Sequence, residues 1–248
     1  MEPTRPDQEL RERIVYPDTD GEPMSDSDAN ADRMIDTFTA LARAHRSRGR
    51  KAYVSKNLFV YPVRGKPWLR NSPDILVAPG CEDRKRPSFK YWEEPGRVLF
   101  AGEFISFLRR ETLESPEVEE RIDFYRKELG TRELFIYQPL GKNQEDGYRF
   151  FFFRLRSEGP DEEIEPGEDG WYRSEILDLD LRPLDDRVEF RDPATGEIYL
   201  PDSIRAEREA QRAERETERA EREAAARKDL EAEVRRLRAE LEGRRRDV

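Results

Sequence analysis

Two acidic side chains interrupt apolar segments where strands are predicted. Asp74 follows Pro73 in SPDILV (72–77), and Glu103 lies near the end of VLFAGEFI (98–105). A carboxylate inside a buried strand costs free energy unless it is paired or binds a cation. Two such carboxylates at the same end of adjacent strands could hold Mg²⁺ or Mn²⁺ through oxygen ligands. The alternative is a pair of strand-end acids that reach solvent or cap a helix.

The other residue types that do chemistry are scarce. The chain has one histidine, His45, and one cysteine, Cys81. These counts exclude a multi-histidine metal centre, a relay between two imidazoles, an internal disulfide and a cysteine-rich zinc site. We interpret His45 as a helix-end side chain and Cys81 as a bystander in a loop.

The segments that must position the two acids have the pattern of a mixed α/β domain. Apolar spacing and turn residues predict an order of helix, three strands, helix and further strands. The predicted helices are 28–46 and 116–129, the latter ending at Gly130, and the predicted strands are 52–61, 72–77, 98–105, 133–138 and 147–155, followed by small β-hairpins between 171 and 200.

The C-terminal segment has a different composition. Residues 205–247 are almost entirely Glu, Arg and Ala, which predicts one long helix in which opposite charges nearly cancel. The acidity of the chain, a net charge of -10 with 41% charged residues, therefore comes from the preceding part. Apolar residues with 4-3-4 spacing near the end favour a homo-oligomer formed through a coiled coil, and the alternative is a solvated single helix. They are Leu230, Val234, Leu237 and Leu241.

Composition also bears on the compartment. The sequence has no apolar run of about 18 residues, so no membrane span is expected. The first ten residues do not resemble a signal peptide, and the single cysteine is typical of a reducing compartment, so we expect a cytoplasmic protein.

A longer stretch, residues 72–106, resembles the Uma group of restriction-endonuclease-like proteins in the PD-(D/E)XK nuclease superfamily. That group shows a "PD" strand, then an "R-x-S-Y/F-x-x-W-E-E" stretch, then an apolar strand ending in "E-x-x-S". Further similar stretches, N-terminal and C-terminal to residues 72–106, extend the resemblance from about Tyr16 to the C-terminus. The matching residues here are Pro73-Asp74, Arg86, Ser88-Phe89, Trp92-Glu93-Glu94, Glu103 and Ser106.

The resemblance implies a Mg²⁺-dependent endonuclease that hydrolyses DNA, with RNA not distinguished as a substrate. Asp74 and Glu103 would chelate the metal, together with the backbone carbonyl of Phe104. The implied fold is a PD-(D/E)XK core, a mixed sheet flanked by helices, over residues 14–157. A β-hairpin extension over 158–203 and a charged helical tail over 204–248 would follow.

The sequence departs from the family pattern at the third catalytic position. The superfamily lysine usually lies two residues after the second acid, where this chain has Ile105. In the Uma group a lysine commonly comes from the next helix, four residues before a tyrosine, and Arg121 holds that place before Tyr125. Arginine keeps its charge and cannot act as a general base. A second function therefore stays open, namely a catalytically weakened nuclease fold that binds nucleic acid or protein.

Two accessory positions and two basic clusters complete the prediction. Glu117 stands where the family helix has an aspartate, and Asn30 where the first helix often has a histidine. The clusters are candidates for DNA contacts because phosphates require local positive charge, and the alternative for each is a solvated surface turn. They comprise Arg84, Lys85 and Arg86, and the pair Arg109 and Arg110.

Overall fold

The computed structural model of the chain describes residues 14–19, 28–105, 116–139 and 147–246. The chain divides into two compact units, Met1–Pro201 and Asp202–Val248. The first unit holds both the segment that resembles a nuclease and the predicted β extension. The second is a single helix.

The described elements have an α/β order with a mixed sheet, as predicted. The helices are α1 (Asp28–Ser47), α2 (Pro116–Phe124), which continues as a π-helical turn over Tyr125–Leu129, and α3 (Asp202–Arg246). The strands are β1 (Ala52–Ser55), β2 (Val60–Tyr61), β3 (Ile75–Pro79), β4 (Phe89–Lys90), β5 (Phe100–Phe104), β6 (Glu133–Pro139), β7 (Tyr148–Arg154), β8 (Glu162–Glu163), β9 (Tyr172–Ser174), β10 (Leu179–Pro183), β11 (Val188–Arg191) and β12 (Ile198–Tyr199).

The central sheet has six strands in the order β1-β3-β5-β6-β7-β8. All neighbours are antiparallel except β5 and β6, which are parallel. Alternation along each strand divides the core into two clusters. On β5, Phe100 and Phe104 lie in the cluster that includes α1, whereas Ala101 and Ile105 lie in the cluster that includes α2.

Helix α2 covers one face of this sheet with Val118, Tyr125 and Leu129, all fully buried. It ends at Gly130, which has φ of 67° and donates its N–H to the Tyr125 carbonyl. A left-handed conformation of this kind favours glycine because a Cβ would be strained there. The predicted helix 116–129 is therefore confirmed in extent, with its last turn widened to a π-helix.

The second sheet, in the order β12-β11-β10-β9, is antiparallel and shares a core with α1. Leu179, Leu181 and Phe190 belong to the same buried cluster as Leu41 of α1. The predicted hairpins near the C-terminal end of the first unit thus form one sheet, and its strands pack with the larger sheet around α1.

The predicted strand 52–61 is wrong as a single element. Its two ends form β1 and β2, which belong to different sheets. The chain breaks between them at Asn57, a non-glycine residue with φ of 46°, and a strand cannot continue through that conformation. Strand β2 pairs in parallel with β4, which the sequence did not predict.

Helix α3 is 45 residues long, and its described side chains from Ala206 onward are exposed. Ion pairs with i, i+4 spacing, such as Arg219 with Glu223 and Arg227 with Glu231, lie along it. Leu230 and Val234 are 63% and 44% exposed, and the side chains of Leu237 and Leu241 lie outside the described residues. The long C-terminal helix is confirmed, and the coiled coil stays a prediction. None of the helices in the described ranges is long and apolar enough to cross a membrane.

Candidate active site

Asp74 and Glu103 lie opposite each other at the same end of two neighbouring strands. In the antiparallel pair of β3 and β5, Ile75 stands opposite Gly102. One step outward, this register sets Asp74 opposite Glu103. The Phe104 N–H donates a hydrogen bond to Asp74 Oδ2 at 2.7 Å, which ties the Asp74 carboxylate to the end of β5. The adjacency expected from the two interrupted apolar segments is present.

The Glu103 side chain points to the face that α2 covers. It alternates with Phe104 and shares the side of Ala101, which packs in the α2 cluster. Only 7% of Glu103 is exposed. The Tyr125 hydroxyl donates a hydrogen bond to Glu103 Oε1, and Arg121 Nη1 lies 3.5 Å from Oε2. Because residues four apart share one face of a helix, α2 presents both side chains to the same carboxylate.

Electrostatics at this site favour a bound proton or cation. Burial, followed by the negative charge of Asp74, raises the pKa of Glu103 from 4.5 to about 8. Arg121 and the Tyr125 hydroxyl oppose the rise without cancelling it. Burial and the neighbouring carboxylates also raise the pKa of Tyr125 well above its ordinary value, so its hydroxyl remains a donor near neutral pH. Near pH 7 the metal-free pair of carboxylates therefore holds one proton, which a divalent cation would displace.

The donor set fits Mg²⁺ or Mn²⁺. Both cations prefer oxygen ligands, and Mg²⁺ in protein sites often takes one or two carboxylates with water and substrate oxygens completing the shell. Two carboxylates meet here, and Phe104, the last residue of β5, adds a backbone carbonyl at the same strand end. The described part of the chain contains no cluster of three or more acidic, His or Cys side chains that could hold a metal. A site of this kind would thus depend on the Asp74 and Glu103 pair.

Close packing on the opposite face of the sheet supports the strand end. The ring of Phe135 on β6 lies directly over Gly102, and a Cβ at Gly102 would lie 2.1 Å from that ring. Only glycine fits at this point of β5, one residue before Glu103. The stacked rings of Phe135 and Phe150 continue the packing across β7.

Of the accessory positions predicted from the sequence, the structure describes the side chain of Asn30 but not those of Glu117, Arg109 and Arg110. Asn30 is buried in the first turn of α1, where its Oδ1 accepts a hydrogen bond from Arg33 Nη1 at 3.3 Å. Glu117 lies on α2, but its side chain is outside the described residues. Arg109 and Arg110 also lie outside them.

In the first basic cluster, Arg84 to Arg86, the predicted DNA contact at Arg86 is wrong because this side chain is buried. The side chain of Arg86 is only 2% exposed, with its Nε 2.9 Å from Glu94 Oε1. Its guanidinium carbon lies 3.8 Å from the centre of the Tyr53 ring. Such a buried, stacked and paired guanidinium cannot reach a phosphate, so the role of Arg86 is structural. Arg84 shares the Glu94 carboxylate at 2.7 Å from a more exposed position, and Lys85 is exposed.

Tyr125 also belongs to this site, through a contact with Glu103 that was not predicted from the sequence. The available signal was its spacing of four from Arg121, which places both residues on one helical face.

Comparison with known proteins adds no identification, because no family model and no curated protein matches this chain.

Proposed function

We propose that this protein is a Mg²⁺-dependent endonuclease that hydrolyses phosphodiester bonds of DNA. The observation that supports the proposal most strongly is the Asp74 and Glu103 pair, two carboxylates held opposite each other at adjacent strand ends with a raised Glu103 pKa. A buried pair of like charges with no structural purpose would be costly. The resemblance of residues 72–106 to the PD-(D/E)XK pattern supports the same reaction.

In this proposal each residue has a defined task. Asp74, Glu103 and the Phe104 carbonyl would hold the metal. When bound, Mg²⁺ supplies a Lewis acid for phosphate oxygens and lowers the pKa of coordinated water. The Tyr125 hydroxyl fixes the orientation of Glu103 through its hydrogen bond. The Phe104 N–H does the same for Asp74.

Arg121 supplies positive charge beside the pair. Its guanidinium stays protonated at every relevant pH, so it can orient Glu103 and attract a phosphate but cannot accept a proton. It therefore replaces only part of the role of the lysine in related nucleases.

A second candidate function is that of a nuclease fold that binds nucleic acid or protein without cleaving it. The observation that favours it is that both Glu103 oxygens already have protein partners, Tyr125 at Oε1 and Arg121 at Oε2. In that case Arg121 would act as a built-in substitute for the metal.

Plasmid nicking separates the two candidates. Purified wild type with Mg²⁺ or Mn²⁺ should convert supercoiled DNA to open circles, and EDTA should stop the reaction. Asp74→Ala should abolish nicking, whereas Glu197→Gln, which removes an exposed acid outside the site, should leave it unchanged. Equal nicking by wild type and Asp74→Ala would refute the nuclease proposal. Parallel reactions with single-stranded RNA decide between the two nucleic acids.

Arg121→Lys tests the role of the arginine. Faster cleavage by this variant would indicate that Arg121 marks a weakened enzyme, because lysine can also exchange a proton. Loss of cleavage would indicate that the guanidinium fork is required for the geometry of Glu103.

We also propose that the protein forms a homo-oligomer through α3. The support is the pair Leu230 and Val234, two exposed apolar side chains on one helical face of an otherwise charged helix. The proposal concerns assembly and is independent of the carboxylate pair.

A further inference from the structure

The loop between β2 and β3 carries exposed aromatic and basic side chains that the proposed site does not use. We call residues 62–72 the tryptophan loop. Trp68 is 71% exposed, although large aromatic rings are usually mostly buried. Arg64 and Lys66 are exposed as well, and neither forms an ion pair within the described part of the chain. The loop therefore presents one large ring and two available positive charges.

Internal hydrogen bonds hold this loop in one shape. The Leu69 N–H donates to the Lys66 carbonyl at 3.0 Å, which closes a turn around Pro67 and Trp68. Arg70 Nη1 donates to the Pro67 carbonyl, also at 3.0 Å. Proline at the second position of the turn fixes its backbone in advance. The exposed Trp68 ring thus lies on a preorganised turn, which reduces the entropy that binding would cost.

The tryptophan loop leads directly into the candidate active site. Its end is fixed by pairing of Asn71 with Val60, where the Val60 N–H donates to the Asn71 carbonyl at 2.8 Å. Asp74 follows three residues later. Asp74 is six positions after Trp68, so their Cα atoms can lie at most about 22 Å apart. A nucleic acid strand bound at the carboxylate pair is thus within reach of the Trp68 ring.

We infer that the tryptophan loop binds single-stranded or locally unpaired nucleic acid beside the cleavage site, with Trp68 stacked on a base and Arg64 and Lys66 at phosphates. Every base offers a π face, so stacking tolerates any sequence. A base in a duplex is already stacked and would first have to leave its neighbours. Two cations that form no ion pair with the described residues matter in a chain of net charge -10, because phosphate binding depends on local positive charge.

This inference rests on the proposed nuclease function for its choice of partner, and its test does not depend on cleavage. Fluorescence anisotropy should be measured in EDTA with Asp74→Asn as the parent protein. Two labelled probes of about ten nucleotides suffice, oligo-dT and an abasic backbone of the same length. The parent should bind oligo-dT more tightly than the abasic strand by about 5-fold or more, since stacking on one aromatic ring contributes at least that factor.

The variants assign the effect to the loop. Trp68→Ala should remove the preference for oligo-dT, and Trp68→Phe should retain most of it. The Arg64→Ala, Lys66→Ala double variant should weaken binding of both probes. It should also reduce the slope of log affinity against log salt by about 1.4, the value for two phosphate contacts on a single strand. Arg208→Ala with Arg212→Ala is the matched control on α3 and should behave like the parent.

Three results would overturn the inference. The first is a parent protein that binds neither probe, and the second is a parent that binds oligo-dT no more tightly than the abasic strand. The third is a Trp68→Ala variant that keeps the full preference for oligo-dT. A parent that prefers oligo-dT through Trp68 while the wild type nicks no plasmid would overturn the nuclease proposal and leave the loop assignment intact. If the wild type nicks plasmid but Trp68→Ala binds both probes like the parent, the loop assignment is overturned and the nuclease proposal stands.

Discussion

Glu103→Gln should change the pH dependence of stability in the metal-free protein. The folded state raises the pKa of Glu103 from 4.5 to about 8, so between these values it holds a proton that the unfolded chain has released. The unfolded state thus binds fewer protons, and the free energy of unfolding must fall as the pH rises through this window. The slope is about 1.4 kcal/mol per pH unit for one proton. The side-chain amide of the Glu103→Gln variant does not titrate, so the variant has no such proton to lose.

The magnitude follows from that slope. From about pH 5.5 to about pH 7.5, the free energy of unfolding of the wild type should fall by about 2 to 3 kcal/mol more than that of Glu103→Gln. The carboxylates titrate as a pair, so the proton belongs to the pair of Asp74 and Glu103. Saturating Mg²⁺ should shrink the difference, because the ion requires both carboxylates to be ionised.

Urea unfolding in EDTA at several pH values, followed by tryptophan fluorescence, measures the effect. All three tryptophans, Trp68, Trp92 and Trp171, lie in the first compact unit, so the signal reports that unit and not α3. Glu197→Gln is the control and should follow the wild type. Parallel pH profiles for wild type and Glu103→Gln would refute the reasoning, since they would show that Glu103 is ionised throughout the range.

Three further predictions concern packing and assembly. Arg86→Ala should lower the free energy of unfolding by about 1.5 to 3 kcal/mol, because it leaves the buried Glu94 carboxylate with only the more exposed Arg84 as its partner, and a change below about 1 kcal/mol in urea would contradict the buried ion pair. Gly102→Ala should cost about 1 to 3 kcal/mol in the same assay because its Cβ meets the Phe135 ring, and an unchanged midpoint would contradict that close approach. Sedimentation equilibrium should give an oligomer for the wild type and a monomer for Leu230→Glu with Val234→Glu, whereas a monomeric wild type would indicate a solvated single helix.

The centre of the fold could be predicted because its strands are apolar runs bounded by turn residues. The prediction 133–138 matches β6, Glu133–Pro139, and 147–155 matches β7, Tyr148–Arg154. Helices α1 and α2 were visible from their apolar spacing and, for α2, from the glycine that follows it. In these segments local propensity and burial favour the same structure.

Short strands could not be predicted in the same way. Strand β8 consists of Glu162 and Glu163, two acids without the alternating pattern of a strand, and it is defined by its pairing with β7. Strands β2 and β4 have two residues each and are defined by their pairing. Pairing between distant segments depends on tertiary structure, which local sequence does not contain.

The candidate site was partly predictable. A carboxylate in an apolar strand is a strong local anomaly, and from it the sequence predicted that Asp74 and Glu103 lie at the same end of adjacent strands, whereas their role as metal ligands stays a prediction. The expected DNA contact at Arg86 was wrong because a run of positive residues shows charge but not burial. Its partner Glu94 lies eight residues later, and only the folded loop brings the two side chains together.

Binding of Mn²⁺ tests the central proposal most directly. Electron paramagnetic resonance of free Mn²⁺ during titration at about pH 8 counts the ions that the protein removes from solution. We predict about one or two bound ions per chain for the wild type and loss of that binding in Asp74→Ala. Equal Mn²⁺ binding by the wild type and Asp74→Ala, or none by either, would contradict a metal site at Asp74 and Glu103.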